Sequence, residues 1–459
     1  MSTPLGIDSL ASKKEQLRLF SPTNSHNLSL NGIDHKKHGL SKQQRLAALL
    51  EGDLNFHGED SSYASHDVHA FAAKFPPQLP RAFIRGLTTP GDFVLDPMMG
   101  SGTTIVEALL AGRKGIGFDI DPLALRLSHA KTIPIDVDEL RNISHSVVSQ
   151  AQDLLSNTSL DERLTESFDA RTKEFIDYWF LPNTQRELMS LIVAVQSVKE
   201  PLARRFLELT FSSVIVTKSG GVSRARDLAH SRPHLDRDKI PKNALEQFSS
   251  RLQKNLKSIA HITASGSLSA PMGGDARLMP LRSETIDLIV TSPPYANAID
   301  YMRAHKFPLV WLGKSVANLT NLRAQYIGSE KNIIAQYAEL PNITSATILQ
   351  LEQHDRKKSS ILRKYFSEMK SVLIEMYRVL RKDSPAIIVV GPSIMRGINV
   401  QTHQCLAEIA DDIGFEVVGI AQRILDRNKR MMPARFGRKT NSMIEQRMHE
   451  EYVIGLLKS

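Results

Sequence analysis

Apolar positions along the chain follow two periods. Six short segments are almost continuously apolar: 93–95, 115–118, 286–290, 385–391, 415–424 and 451–457. Such runs read as strands buried on both faces, because a sheet covered by helices on each side has no solvated face to alternate with. Elsewhere the apolar residues return every three to four positions, the spacing of one helical face. That spacing predicts helices over 42–51, 81–87, 103–110, 137–155, 184–198, 202–217, 244–262, 347–380 and 402–413. Ser41 stands where the first needs an N-cap, Pro241 lies just ahead of another start, and Gly112 and Gly414 close two ends. Strands alternating with helices predict an α/β fold. The last two apolar runs suit a terminal antiparallel pair.

Several stretches break the pattern. Residues 1–40 are rich in Ser, Asn, Lys and His without periodicity and read as a mobile tail. The helical stretch 123–262 separates two pieces of sheet, so it reads as an insertion beside the site. Within it, 218–242 carries Lys218, Arg224, Arg226 and Arg232 among few apolar residues. Such a charge run is either a solvated connector or a surface for a polyanion. The basic stretch 423–438, with Arg430, is open to the same two readings. Residues 296–312 read as a partly exposed segment leading away from the site, and 314–346 as loops that read a target.

Composition narrows the classes. There are 58 Lys and Arg against 49 Asp and Glu, a net charge of +9. That surplus suits a polyanionic partner, since lysine and arginine release counterions from phosphates. With 41% apolar and 23% charged residues the chain is of the water-soluble globular kind. It has no apolar run of about 18 residues, so no membrane span is expected. No basic-then-apolar leader opens it, and the expected location is the cytoplasm. The single cysteine, Cys405, excludes an intrachain disulfide and a cysteine-rich zinc site, and it reads as a small core residue. His66 and His69 stand at i and i+3 without a third ligand nearby. They read as hydrogen-bonded or surface histidines, and no metal is expected.

Two strand ends carry chemistry. The first run continues as Asp96-Pro97-Met98-Met99-Gly100-Ser101-Gly102-Thr103-Thr104, and the next strand ends in Asp119. A glycine turn between strand and helix lets backbone approach a ligand closely. An acid at the end of the second strand can accept hydrogen bonds from both hydroxyls of a ribose. No Gly-Lys-Ser/Thr follows, and the spacing is not Gly-x-Gly-x-x-Gly, so neither a phosphate loop nor a dinucleotide site is indicated. Asp96 would repel a pyrophosphate; it suits a cofactor with a cationic end, and S-adenosylmethionine has an ammonium and a sulfonium. The other strand end is Thr291-Ser292-Pro293-Pro294-Tyr295. Two prolines cannot extend a ladder and force extended backbone before them, so the strand ends in a stiff turn. Such a turn can hold a planar amine between hydroxyl and carbonyl acceptors, or can be simply a structural turn. Gly274-Asp275-Ala276 is a further polar cluster within reach of an adenine amine.

Together these residues resemble the amino-group DNA methyltransferases, which use S-adenosylmethionine. The cofactor motif is carried by Asp96, Pro97, Met99, Gly100, Ser101, Gly102 and Thr103, with methionine where the commonest form has phenylalanine. The catalytic motif is carried by Ser292, Pro293, Pro294 and Tyr295. The segment 69–80, with Lys74 and Phe75, is similar to the family's flank of the cofactor's methionine end. Asp119 matches the ribose-binding acid and Asp275 the adenine-contacting acid. The resemblance covers 65–132 and 272–457 and leaves the block 133–270 unexplained. It implies a Rossmann-like class I methyltransferase sheet with a terminal antiparallel strand and a large helical insertion. The expected division is a tail with a short helix (1–60), a cofactor half (61–132), a helical insertion for DNA or target recognition (133–270) and a catalytic half (271–459).

The resemblance also implies double-stranded DNA as partner, with Lys218, Arg224, Arg226, Arg232 and Arg430 as candidate contacts. A cognate restriction endonuclease is a candidate companion, and the oligomeric state stays open. In this family a serine before the two prolines goes mainly with cytosine N4, and Asp or Asn mainly with adenine N6, so N4-methylcytosine is the expected product. Methylation at cytosine C5 needs a Pro-Cys pair, whereas Cys405 follows Gln404. The target base is expected to leave the duplex, stack on Tyr295, and donate its amine hydrogens to Ser292 and the Pro293 carbonyl. The alternatives are N6-adenine methylation, an RNA or protein amide as acceptor, and a non-catalytic DNA-binding subunit. The intact Gly100, Gly102, Asp119 and Ser-Pro-Pro-Tyr favour catalysis over the last.

Overall fold

A computed structural model describes residues 39–71, 74, 76–132, 136–217, 221–226, 228, 233–259, 268–296, 300–330, 337–425 and 450–459. Nearly all of the expected tail, and Phe75, Lys218, Arg232 and Arg430, lie outside the described residues. Seven strands form one sheet: β1 (Phe93–Asp96), β2 (Lys114–Asp119), β3 (Ser269–Gly273), β4 (Leu288–Thr291), β5 (Ser384–Val390), β6 (Phe415–Ile424) and β7 (Glu450–Lys458). Their order across the sheet is β6-β7-β5-β4-β1-β2-β3. β1 to β5 run parallel, and β7 lies antiparallel between β5 and β6. The chain moves outward from β1 through β2 to β3, then returns to β4 on β1's other side. That reversal opens a crevice above the carboxyl ends of β1 and β4.

The apolar runs are continuous because both faces of the sheet are covered. Val94, Leu288, Val290, Ile387 and Val389 pack under α1 (Lys42–Glu51), α2 (Gln78–Leu87) and α3 (Thr103–Leu110). Their neighbours Leu95, Ile289, Ala386, Ile388 and Val390 pack under α13 (Asn342–Glu352), α14 (Arg356–Val379) and α15 (Thr402–Ile413). Helix α1 opens with a capping box: Ser41 Oγ accepts from the Gln44 N–H at 3.1 Å, and Gln44 Oε1 accepts from the Ser41 N–H at 2.9 Å. It buries Leu46, Leu49 and Leu50 on the sheet. The single helix expected over 347–380 is two, α13 and α14. Asp355 accepts from the Lys358 N–H at 3.0 Å and so caps a new helix where the apolar period alone reads through.

The block between the two pieces of sheet holds α4 (Pro122–Thr132), α5 (Val137–Leu155), α6 (Ser159–Glu166), α7 (Ala170–Trp179), α8 (Pro182–Gln196), α9 (Pro201–Ile215) and α10 (Ala244–Ile259). Its core includes Leu188, Phe206 and Phe248, and continues into Leu123 and Leu127 of α4. It also takes in Phe307 and Trp311 of α11 (Met302–Trp311) and Leu319 of α12 (Val316–Arg323). The block is thus packed against elements from both sides of the sheet's return. Among the described residues no helix is long and apolar enough to cross a membrane.

Candidate active site

Adjacent β1 and β4 bring the two motifs together. Thr291 Oγ1 donates to Asp96 Oδ1 at 2.7 Å, and Thr104 Oγ1 donates to the Val290 carbonyl at 3.1 Å. Asp96 is 1% exposed and also accepts from the Met98 N–H at 3.2 Å. It lies beneath the cleft and joins the motifs from behind. Burial pushes its carboxyl up to about 6, against the opposing pull of the Thr291 hydroxyl and the Met98 N–H.

Sequence sets the path of the glycine turn. Gly102 starts α3 at φ +73°, where a Cβ would stand 2.6 Å from Ser128 Oγ. The Gly100 N–H donates to Asp119 Oδ2 at 2.9 Å, and the Asp121 N–H donates to Oδ1 at 2.8 Å. Burial, together with the nearby Asp121 charge, pushes the Asp119 carboxyl up to about 7. Gly117 in β2 is required for packing. A Cβ there would meet Ile105 Cδ1 at 2.3 Å and Met99 Sδ at 2.6 Å. The wholly buried Lys131 donates to the Ser101 carbonyl at 2.8 Å, and burial holds its pKa well below the usual lysine value.

One cleft gathers most of the expected residues. Pro97, Met99, Gly100, Ser101, Thr103, Asp119 and Asp275 line it, together with Lys74, Ser292 and Pro294. Ser292 is half-buried, and among the described residues its hydroxyl makes no hydrogen bond to protein. The Lys74 ammonium donates to the His66 carbonyl, and burial lowers its pKa to about 8. Asp275 is gripped by Arg277, whose Nε donates at 2.9 and 3.0 Å and whose terminal nitrogen donates at 2.6 Å. Burial works to raise the Asp275 pKa, but Arg277 outweighs it and the net shift is downward.

Tyr295 departs from expectation. Its ring does not line the cleft; it lies against Gly391, where a Cβ would stand 2.8 Å from Cε2. Its hydroxyl donates to Glu451 Oε1 at 3.0 Å; Glu451 pairs with Arg423 at 2.7 Å, and Arg423 donates to the Leu54 carbonyl at 3.0 Å. The tyrosine is thus anchored at the sheet end and 9% exposed. Pro293 is buried and does not line the cleft either. Of the described candidate DNA contacts, Arg226 is exposed and paired with Asp236 at 2.6 Å, and Arg224 sends its backbone N–H to the Trp179 carbonyl at 2.8 Å. Neither lines the cleft.

The histidine pair is internal. His66 Nε2 lies 2.8 Å from Glu107 Oε1, and His69 Nε2 lies 2.8 Å from Ser212 Oγ. Burial lowers their pKa values to about 4 and about 3, so both rings are neutral at neutral pH. No group of three metal-ligating side chains occurs among the described residues.

The segment expected to lead away from the site instead forms its wall. Tyr301, Arg303 and Tyr326 line the cleft, Phe71 stacks on Tyr301 at 5.6 Å, and His305 Nδ1 lies 2.6 Å from Asp121 Oδ2. Tyr301, Arg303 and His305 lie in or next to α11, whose Pro308 and mixed polarity hid its helical period. The i, i+4 spacing of Tyr301 and His305 was the available signal.

A family model described as DNA methylase matches residues 12–130, a span that includes β1, the glycine turn and β2. The chain is 24% identical over 389 residues to the Type II methyltransferase M.MvaI of Kocuria varians, covering 78% of this chain and 83% of that protein. It is 23% identical over 360 residues to the Type II methyltransferase M.AvaI of Nostoc sp., covering 71% and 73%. Over these spans the chain is similar to the amino-group DNA methyltransferases.

The DNA methylases that the matched family model describes take their methyl group from S-adenosylmethionine. A SAM-dependent methyltransferase from Methanosarcina mazei is similar at a TM-score of 0.29 and 11% identity, over 82% of this chain and 96% of that one. The cleft itself fits the group. Its glycine turn puts no side chain at Gly100, Asp119 offers a carboxylate whose oxygens each accept one N–H and can accept another, and Lys74 offers an ammonium with donors left beyond the His66 carbonyl. A ligand with hydroxyl donors and a carboxylate suits both.

Proposed function

We propose that this protein transfers a methyl group to the exocyclic N4 amine of cytosine in duplex DNA. The observation that carries the reading is the Thr291–Asp96 hydrogen bond, which ties the Ser292 turn to the glycine turn so that both border one cleft. Serine before the prolines is what favours cytosine over adenine. The Type II methyltransferases among its relatives support DNA as substrate, and a companion endonuclease belongs to the same reading.

When bound, S-adenosylmethionine supplies an electrophilic methyl on sulfur. Asp119 would hold the ribose, Asp275 the adenine amine and Lys74 the carboxylate. The target base leaves the stack, since its amine is paired inside the duplex. Ser292 Oγ, which borders the cleft, would accept an amine hydrogen and so orient the nitrogen lone pair for transfer. The bound cofactor would supply the methyl, and the amine nitrogen, made strongly acidic as it accepts it, would release a proton along its hydrogen bond to Ser292 Oγ and on to solvent. Positioning and preorganised acceptors supply the rate, with no strong base needed. Tyr295, anchored through Glu451, would fix the turn that carries Ser292.

The test is methyl transfer from labelled cofactor to mixed-sequence duplex DNA, followed by nucleoside mass spectrometry. N4-methylcytosine is expected. N6-methyladenine would overturn the base assignment alone. Label in neither base, from protein that binds the cofactor, would overturn DNA as the substrate.

A further inference from the structure

Residues 300–330 turn back over the cleft. Asp121, two residues beyond the ribose acid, works in two directions. Its Oδ1 accepts from the Leu123 N–H at 2.7 Å and so caps α4, while its Oδ2 accepts from Tyr326 Oη at 2.8 Å and faces His305 Nδ1 at 2.6 Å. Tyr326 belongs to a strap, 325–330, that lines the cleft along its whole length.

Charged side chains outside the cleft hold the strap's backbone. Arg277 donates to the Gln325 carbonyl at 3.1 Å, Glu368 accepts from the Gly328 N–H at 2.9 Å, and Lys364 donates to the Ser329 carbonyl at 3.0 Å. Arg277 also grips Asp275 and pairs with Glu368 at 2.7 Å. Asp121, Lys364 and Glu368 are each only 4% exposed. An ordinary surface connector satisfies its backbone with water. Burying two ionisable side chains to do so, and a third to hold the Tyr326 hydroxyl, is costly unless the geometry they impose is fixed. The network links the strap to both acids that flank the nucleoside end of the cleft, Asp119 through its neighbour Asp121 and Asp275 through Arg277.

We propose that residues 325–330 are the wall that retains the nucleoside end of S-adenosylmethionine, with the Tyr326 hydroxyl as its latch to Asp121. The proposal rests on the cofactor reading of this cleft. Cofactor then exchanges through opening of the latch, so Tyr326 governs how long the cofactor stays, as a positioning residue apart from the methyl-transfer chemistry.

The test uses the full chain and S-adenosylhomocysteine, with affinity measured by calorimetry and release by stopped-flow displacement. Tyr326→Phe removes only the hydroxyl and leaves Asp121 its contact with His305 and its cap. It is expected to raise Kd about tenfold, the size of one hydrogen bond to a charged acceptor, mostly through faster release. Unchanged affinity and release, with the unaltered protein binding normally, would overturn the latch. A second measurement needs no variant: amide exchange across 325–330 should slow when S-adenosylhomocysteine is added. Exchange that does not respond would overturn the wall. Failure of the unaltered protein to bind S-adenosylhomocysteine would overturn the cofactor reading itself, and the latch with it.

Discussion

Ser292 and Tyr295 stand three residues apart in one turn and are held in opposite ways. Ser292 lines the cleft with its hydroxyl unbonded to protein among the described residues, whereas the Tyr295 hydroxyl is committed to Glu451. Replacing Ser292 by Ala should therefore cost turnover about a hundredfold while leaving S-adenosylhomocysteine affinity unchanged, as loss of a transition-state acceptor does. Parallel kinetics and calorimetry check this, and an equal loss in both would place Ser292 in cofactor binding. Tyr295→Phe keeps the ring and removes its anchor to a charged acceptor, which should lower stability by about 2 kcal/mol in urea unfolding. A Phe variant as stable as the parent would show that the Glu451 bond contributes nothing. At this scale the motif residues were legible, because their chemistry depends on neighbours in sequence. Tyr301, Asp121 and Tyr326 were not, because they meet only through the tertiary return of α11 and the strap.

Elements were legible where one periodicity ran unbroken. The strands read as apolar runs because two helical layers cover them, and α5 and α15 match their periodic stretches. Helix α14 did not separate from α13, because Asp355 ends the period by its side chain rather than by a glycine or proline. The glycines in β2 illustrate what period misses. Gly117 looks like a weak strand residue, yet it makes room for Ile105 and Met99. Gly117→Ala forces its methyl into Ile105 Cδ1 and should lower stability by about 1–3 kcal/mol, the usual cost of overpacking. Ile105→Val removes that Cδ1, so the double variant should recover part of the loss in thermal melting. Strictly additive losses would mean that the clash is not the cause.

Across the whole molecule, the alternation of apolar runs and helical periods made the layered sheet legible. The attachment of the helical block to α11 was not, because it depends on which helices share a core. The same packing buries charge in the cleft, and that has a consequence for pH. Asp96 and Asp119 are raised by burial to about 6 and about 7, so the free folded protein holds more protons there than the unfolded chain. Their contribution to stability is full below the ordinary aspartate range and is lost as pH rises through those values. His66 and His69 oppose this, since burial lowers them and their contribution falls away on acidification. A ligand whose hydroxyls donate to ionised Asp119 relieves the first penalty and not the second. The amino and carboxyl groups of S-adenosylhomocysteine do not titrate near neutrality. The gain in melting temperature on adding it at saturating concentration should therefore widen from pH 5.5 to pH 7, where Lys74 still carries its charge, by up to about tenfold in affinity per unit below the Asp119 pKa. Asp119→Asn should flatten that dependence. A gain that stays constant or shrinks with rising pH would remove Asp119 from contact with the ligand.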